Sequence, residues 1–347
     1  MKKVVSFSGG RTSAKLVIKA IKTFGPENVH VVSMDTGAEH PATYQFMRKF
    51  LIYILSEFGV TITFLRGDFN QPLGVGHKYK VINPCELKSD LGPFKEMCNK
   101  YGTPTVASAW CTSRMKEETH DKYCNDVYGK GCYTTILGIR ADEPSRFLGK
   151  DLHRLLSKEY GVDEFDMQFI LSSIVNDGPS SLCWWINANG SKDKKVFKLA
   201  RLLLEKVRNS NLMFMAEICE DDKQDVLDFW SKMPFDLNIP EWLGNCVFCF
   251  KKSNLKLAAA QRDEPEMYIE WLEMIESAPD RNKKEGRNSM HMYRKQKTLP
   301  EVVAMFDGST GDEIKSRIRG AKMTDTGSCS ESCEVFVCEA NQVDMFE

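Results

Sequence analysis

The spacing of apolar positions changes period several times along the chain. Apolar, β-branched runs at 4–8 (VVSFS), 29–35 (VHVVSMD), 61–65 (TITFL) and 133–139 (YTTILGI) predict strands. Between them, 13–24 and 41–58 carry apolar residues at helical spacing, in the first case Leu16, Ile18, Ala20 and Ile21. Helical patterns also cover about 88–101, 113–128 and 221–233, and MFMAEIC at 213–219 reads as a further strand. Strand followed by helix followed by strand predicts an α/β fold, a parallel twisted sheet with helices on both faces.

From 150 to 212 the pattern loosens around Asn176-Asp177-Gly178-Pro179, Trp184-Trp185 and Asn189-Gly190, then ends in the basic amphipathic run KKVFKLARLLLEKVR. An insertion on the main sheet is expected there. The chain then divides into a core at 1–150, the insertion at 151–212, a continuation of the core at 213–245 and a mainly helical, Cys-bearing part at 246–347. With 347 residues, 42% of them hydrophobic, it can bury a sizeable core.

Charge narrows the partners. Lys+Arg at 47 nearly cancels Asp+Glu at 48, so no global field favours nucleic acid or membrane, and such a partner must meet a local patch. The best candidate patch for a nucleic acid is the basic region 280–322, with His291, Met292 and Tyr293 interleaved, although a charged helical surface explains it as well. No apolar run reaches bilayer length, and Lys2 and Lys3 lead straight into a strand pattern without a signal-peptide cleavage region, so a cytoplasmic protein with no membrane partner is expected. Twelve cysteines in a reducing compartment point to metal where they cluster and to packing where they are isolated. Cys85, Cys98, Cys124, Cys132, Cys183, Cys219 and Cys338 fall in the second group.

Three loops follow predicted strands. Ser8-Gly9-Gly10-Arg11-Thr12-Ser13 joins the first strand to the first helix, where glycines let the backbone curl around an anion and the helix start offers unpaired N–H groups. A plain turn is the competing reading of a lone Gly-Gly, and neither the GxGxxG fingerprint nor a Gly-Lys-Ser/Thr phosphate loop is present. Asp35-Thr36-Gly37-Ala38-Glu39-His40-Pro41 follows the second strand, and Gly138 to Arg146 follows the strand at 133–139. In a parallel sheet all three lie on one edge, bringing anion donors, a carboxylate, Arg140 and Arg146 around one nucleotide-sized crevice.

The segments SFSGGRTS, MDTGAEHPATY and LGIRADEPSR resemble the three signature segments of the phosphoadenosine phosphosulfate (PAPS) reductase family, within the PP-loop superfamily of ATP pyrophosphatases. The resemblance covers about residues 1–150 and resumes near 213. It implies an adenine nucleotide alpha-hydrolase-like fold, with PAPS, adenosine phosphosulfate (APS) or ATP as the nucleotide. Ser8, Gly9, Gly10, Arg11, Thr12 and Ser13 would hold its phosphates, and Asp35, Thr36 and Gly37 would lie near the adenosine. Arg140 and Arg146 would bind phosphate or sulfate oxygens, which guanidinium forks suit. Thr12 stands where PP-loop ATP pyrophosphatases usually carry Asp, and the Cys-Gly-Leu-His type of tail typical of sulfate-pathway reductases does not occur.

Cys246 and Cys249 form a C-x-x-C, and Cys329, Cys333 and Cys338 cluster near the end. Such pairs favour a tetrahedral zinc site or an iron–sulfur cluster. The stretch AWCTSRMK around Cys111 is similar to the place where iron–sulfur-containing APS reductases carry paired cysteines, with Thr112 in the second position. That likeness implies a [4Fe–4S] cluster on Cys111, Cys246, Cys249 and either Cys329 or Cys333, with Arg114, Lys116, Lys251 and Lys252 supplying positive charge or forming a solvated face. Sulfonucleotide reduction is the expected activity, with Arg140, Arg146 and Lys116 at the reacting group, Cys329 or Cys333 as nucleophile and a separate electron donor. A nucleotide-dependent sulfur transferase acting on a nucleic acid or small acceptor, and a non-catalytic nucleotide-binding module stapled by zinc, are the alternatives.

Overall fold

Successive residues of the first strand point to opposite faces, and both faces are covered. Val5 shares an apolar cluster with Val31, Ile62, Phe64 and Ile136, whereas Val4 shares another with Val32, Leu65 and Cys124. This is the burial expected of a strand inside a three-layer α/β protein. The computed structural model describes residues 1–106, 108–186, 193–281 and 288–320.

In chain order, β1 (Lys2–Ser6), α1 (Arg11–Phe24), β2 (Val29–Met34), α2 (Pro41–Phe58) and β3 (Ile62–Asp68) alternate as the periodicity predicts. β4 (Lys78–Ile82) follows, then α3 (Gly92–Tyr101), a π-helical turn at Thr112–Glu117 continuous with α4 (Glu118–Tyr128), and β5 (Tyr133–Leu137). Next come α5 (Pro144–Phe147), α6 (Lys150–Glu159), α7 (Met167–Asp177), α8 (Cys183–Ile186) and α9 (Asp193–Asn209). β6 (Leu212–Phe214) leads through a 3₁₀ turn at Met215–Glu217 to α10 (Lys223–Ser231). The C-terminal part contributes α11 (Asn254–Asp263), α12 (Pro265–Ser277), α13 (Leu299–Ala304) and α14 (Gly311–Gly320).

The strands line up as β4-β3-β2-β1-β5-β6. β3, β2, β1, β5 and β6 run parallel, but β4 pairs antiparallel with β3, Leu65 standing opposite Val81. The sheet is therefore mixed rather than purely parallel. β4 escapes the hydrophobic pattern because it is an edge strand whose Lys78, Lys80 and Val81 are exposed, a composition that discourages further pairing. The strand read at 213–219 is also shorter than its apolar run, because Met215 and Ala216 are buried in the 3₁₀ turn instead.

Chain order reverses between β1 and β5: β2 and β3 extend the sheet to one side of β1, β5 and β6 to the other. In an open α/β sheet, the carboxyl edge at such a reversal is where a ligand crevice is expected. α1, α2 and α10 share the cluster on one face, as Leu16, Phe46, Phe50 and Trp230 show, while Cys124 of α4 packs on the other.

The segment whose pattern loosens is well packed. Leu152, Leu155 and Leu156 of α6, Ile170 and Ile174 of α7, and Val196, Ala200 and Leu203 of α9 form one buried cluster with Ile139 and Phe214. Short linkers containing Gly161 and Gly178 break the period between helices that are individually amphipathic. A fourth cluster gathers α3, the segment around Cys246, and α11 to α14, centred on Phe94, Phe248 and Trp271. The Trp271 indole N–H donates to the Tyr293 hydroxyl at 3.1 Å, which donates to the Phe248 carbonyl at 2.9 Å. No helix among the described residues is long and apolar enough to cross a membrane.

Candidate functional site

β1 ends at Ser6, and two residues later the chain must turn sharply into α1. Gly9 makes this possible with φ +79°, in the region that penalises a side chain. It also packs closely: a Cβ there would stand 2.9 Å from Met47 Sδ and 3.0 Å from Thr43 Cγ2, both on α2. The turn after β1 is thus pressed against the helix that follows the Asp35 loop.

α1 begins at Arg11 with Gly10 as N-cap, a residue with no side chain to cap it. Ser13 Oγ, the nearest candidate, donates to the Gly10 carbonyl at 2.9 Å and accepts from the Ser8 amide at 3.2 Å, tying the turn to itself. The first-turn amides of the helix lack intrahelical acceptors and face the crevice edge with the positive end of the helix dipole, worth about 0.3–1 kcal/mol to an anion. Arg11 points its guanidinium at Asp236, in a two-bond pair at 2.7 and 2.8 Å. Ser8 is exposed, and Gly10 and Thr12 are half-exposed.

Asp35 is buried to 2% exposure, and protein donors reach both oxygens of its carboxylate. Oδ1 accepts from the Gly37 amide and the Tyr44 hydroxyl, each at 2.9 Å; Oδ2 accepts from Arg66 Nε at 3.0 Å and Nη2 at 2.6 Å. Its side chain shapes the loop. Gly37, at φ +70°, would carry a Cβ only 2.6 Å from Pro93. Thr36 Oγ1 accepts from the Ala38 amide at 3.3 Å, and His40 caps α2 through Nδ1 while Nε2 faces Glu264 at 3.1 Å.

After β5, Gly138 packs on the α1 start; a Cβ there would stand 3.4 Å from Ser13 Cα. Arg140, 3% exposed, sends Nη1 to within 3.3 Å of Thr12 Oγ1, so the loops after β1 and β5 touch. The other edge of its guanidinium pairs with Asp142. Arg146 Nη1 donates to Glu143 Oε2 at 2.7 Å, and that oxygen also accepts from the Arg140 amide at 3.1 Å. Arg146 Nε and Glu143 Oε1 are buried without a hydrogen bond from the described residues. The glycine turn therefore abuts Arg140 of the loop after β5 on one side and, on the other, α2, the helix that follows the Asp35 loop.

The C-x-x-C segment lies against the Asp35 loop. Glu39 and Cys246 form an antiparallel bridge, the Val247 amide donates to the Ala38 carbonyl at 3.1 Å, and the Cys249 amide donates back to the Cys246 carbonyl at 3.1 Å. Cys246 Sγ stands 3.8 Å from Glu39 Oε1. Lys252 is buried, contrary to its reading as part of a solvated face, and its ammonium donates to the Trp242 and Val247 carbonyls at 2.7 and 2.9 Å. Burial pushes its pKa down to about 8, while Cys249, Cys246 and Glu39 pull the other way.

Cys111 borders the same apolar cluster as Cys246, at the start of the π-helical turn that carries half-buried Lys116. Among the described residues no three His, Cys, Asp or Glu side chains are gathered as a metal would require. Cys329, Cys333 and Cys338 lie outside the described residues, as do 282–287, 321 and 322 of the basic region. Of the cysteines assigned to packing, Cys98 and Cys124 are buried, but Cys85, Cys132 and Cys183 are exposed.

Sequence reasoning passed over Tyr44, Arg66, Asp142 and Glu143. Arg66 had a signal, a cation directly after the apolar run of β3, and the two acids sit inside the LGIRADEPSR segment itself. What the pattern did not show is that Arg66, Asp142 and Glu143 neutralise Asp35, Arg140 and Arg146, and that the Tyr44 hydroxyl donates to Asp35.

No family model matches the chain, and no solved structure matches it. Against curated proteins, it is 34% identical over 337 residues to the uncharacterized nin region protein ORF290 of Escherichia phage lambda, an alignment spanning 96% of this chain and 94% of that protein. Identity at that level over almost the whole of both sequences means that the chain belongs to the family of the phage lambda nin region protein ORF290.

Proposed function

We propose that the chain is a PAPS-reductase-like enzyme that binds an adenine sulfonucleotide in the crevice between the loops after β1, β2 and β5. The observation that carries this reading is the contact between Arg140 and Thr12, which joins a buried guanidinium to an uncapped helix start at the point where strand order reverses. The α1 amides and the hydroxyls of Ser8 and Thr12 offer donors to phosphates, and Arg140 and Arg146 offer donors to a further oxyanion. Asp35 acts indirectly, fixing the loop that would border the adenosine. A PP-loop architecture fits the parallel part of the sheet.

In the proposed reaction a thiolate attacks the sulfate sulfur. The S–O bond to the nucleotide breaks, the nucleotide leaves with the electron pair, and an external reductant then frees sulfite from the S-sulfonated cysteine. Cys329 or Cys333 is the proposed nucleophile. The described residues supply Cys246 and Cys249 on one tight turn and Cys111 on the same apolar cluster, which does not complete a cluster site without the tail cysteines. No step is therefore assigned to iron or zinc.

The test is direct. Full-length protein, purified anaerobically and reduced, is incubated with PAPS, APS or ATP while sulfite, pyrophosphate and AMP are followed. Sulfite from PAPS or APS, lost in Arg140→Gln, is the expected result. Pyrophosphate or AMP from ATP alone would favour sulfur transfer instead. Binding without turnover would leave a nucleotide-binding module, and no binding of any of the three would reject the crevice.

A further inference from the structure

The loop after β5 brings its own anions to the arginines. Arg140 Nε donates to Asp142 Oδ1 at 2.7 Å and Nη2 to Oδ2 at 3.0 Å. This is the forked edge that matches a pair of oxyanion oxygens, and a carboxylate of the same geometry already occupies it. Arg140 and Arg146 carry two positive charges and Asp142 and Glu143 two negative, so the loop is neutral as it stands.

The four side chains are not equally fixed. Those of Arg140 and Glu143 are each 4% exposed and that of Arg146 15%, but Asp142 is 34% exposed. Thr12 holds Arg140 from the glycine-turn side, and the Arg140 amide and Arg146 hold Glu143. Asp142 can swing into water at little desolvation cost, whereas leaving the Nε–Nη2 edge of Arg140 buried without hydrogen bonds, with Glu143 Oε1 3.7 Å from Nη2 as its remaining anion, would be costly. Exchange must then be one for one, the incoming oxyanion taking both N–H donors as Asp142 departs.

We propose that Asp142 is a displaceable counter-ion that selects the ligand of this crevice, admitting to Arg140 an oxyanion tethered to a group bound elsewhere in the crevice and excluding free sulfate and phosphate. The proposal rests on the reading of the crevice as a nucleotide site. A carboxylate two residues from its arginine competes at a high effective concentration, on the order of millimolar or more. A free anion must outcompete it from solution. An oxyanion on a nucleotide whose phosphates already sit on the α1 start meets Arg140 intramolecularly and competes on equal terms. Charge acts in the same direction: with Asp142 gone, the loop carries one net positive charge, which a singly charged sulfonate or bridging phosphate neutralises and a free dianion overcompensates.

The experiment compares full-length wild type, Asp142→Asn and Asp142→Ala by calorimetric titration with ATP, APS and PAPS, with sodium sulfate as competitor at constant ionic strength. In wild type, millimolar sulfate should leave nucleotide affinity unchanged. Both variants should bind the nucleotide at least as tightly, with a sulfate inhibition constant lower by about tenfold or more, as a factor of ten corresponds to 1.4 kcal/mol. Adding Arg140→Gln should abolish that gain. Variants that bind nucleotide but resist sulfate as wild type does would overturn the proposal and leave the nucleotide reading standing. If no protein binds nucleotide, the nucleotide reading fails. Sulfate-dependent thermal stabilisation then decides the rest: a gain confined to the Asp142 variants supports the displaceable counter-ion, and equal behaviour overturns it.

Discussion

Two oxygens of Asp35 receive four donors, from Gly37, Tyr44 and the fork of Arg66. A carboxylate this buried depends on its cation. Arg66→Met should destabilise the protein by roughly 3–5 kcal/mol, because it strands a buried charge. Tyr44→Phe, which removes one neutral donor, should cost about 1–3 kcal/mol. Urea unfolding of the two variants checks the order; if Arg66→Met costs less than Tyr44→Phe, the carboxylate is not held as described. At this scale the sequence was legible by position and not by role. Asp35 and Arg140 stand where the loop motifs place them, but the groups that bond or neutralise them come from β3, α2 and the acids two and three residues after Arg140, and side-chain pairing leaves no period to read.

Among elements, α1 and α10 were legible as helices because each turns one apolar face inward, and that signal survives any tertiary arrangement. Their mutual packing was not, since it relies on polar anchors that lie far apart in sequence and leave no period to read. Lys15, 6% exposed, forms an ion pair at 2.8 Å with Asp221 just before α10, and the Trp230 indole donates to the Arg11 carbonyl at 2.9 Å. Burial alone would raise the Asp221 pKa, but Lys15 and Lys19 outweigh it and hold the carboxyl below its ordinary 3.8. A carboxyl with a depressed folded-state pKa contributes stability above its unfolded value and loses it as pH falls through the folded one. Asp221→Asn should therefore cost roughly 1.5–3 kcal/mol near neutral pH, and its deficit should shrink as pH drops below about 3.8, with the wild type losing the advantage. Melting curves from pH 7 to pH 3 would show this convergence; a deficit that stays constant would mean that the ion pair is not its source.

At the scale of the whole molecule, the described residues divide their apolar interior into separate clusters: the sheet faces, the helices from α5 to α9, and the C-terminal group around Trp271. The last of these reaches the crevice through Ala38 and Glu39 and carries Cys111 and Cys246 on its border, so metal bound by the proposed cysteines would join the chain's end to the Asp35 loop. Protein purified without oxygen should then be brown, with about four iron and four sulfide per chain if a cubane forms, whereas stoichiometric zinc in colourless protein would reject the cluster. Removing the metal should have a local effect, because the C-terminal cluster has its own buried aromatic core and the sheet has another. Limited proteolysis after chelation should cut C-terminal to 246 while the region from β1 to β3 stays protected, and far-UV circular dichroism should change little. A cooperative collapse of the entire chain would instead make the metal a staple for the fold as a whole, the behaviour of a structural zinc module rather than of an enzyme whose cluster borders its crevice.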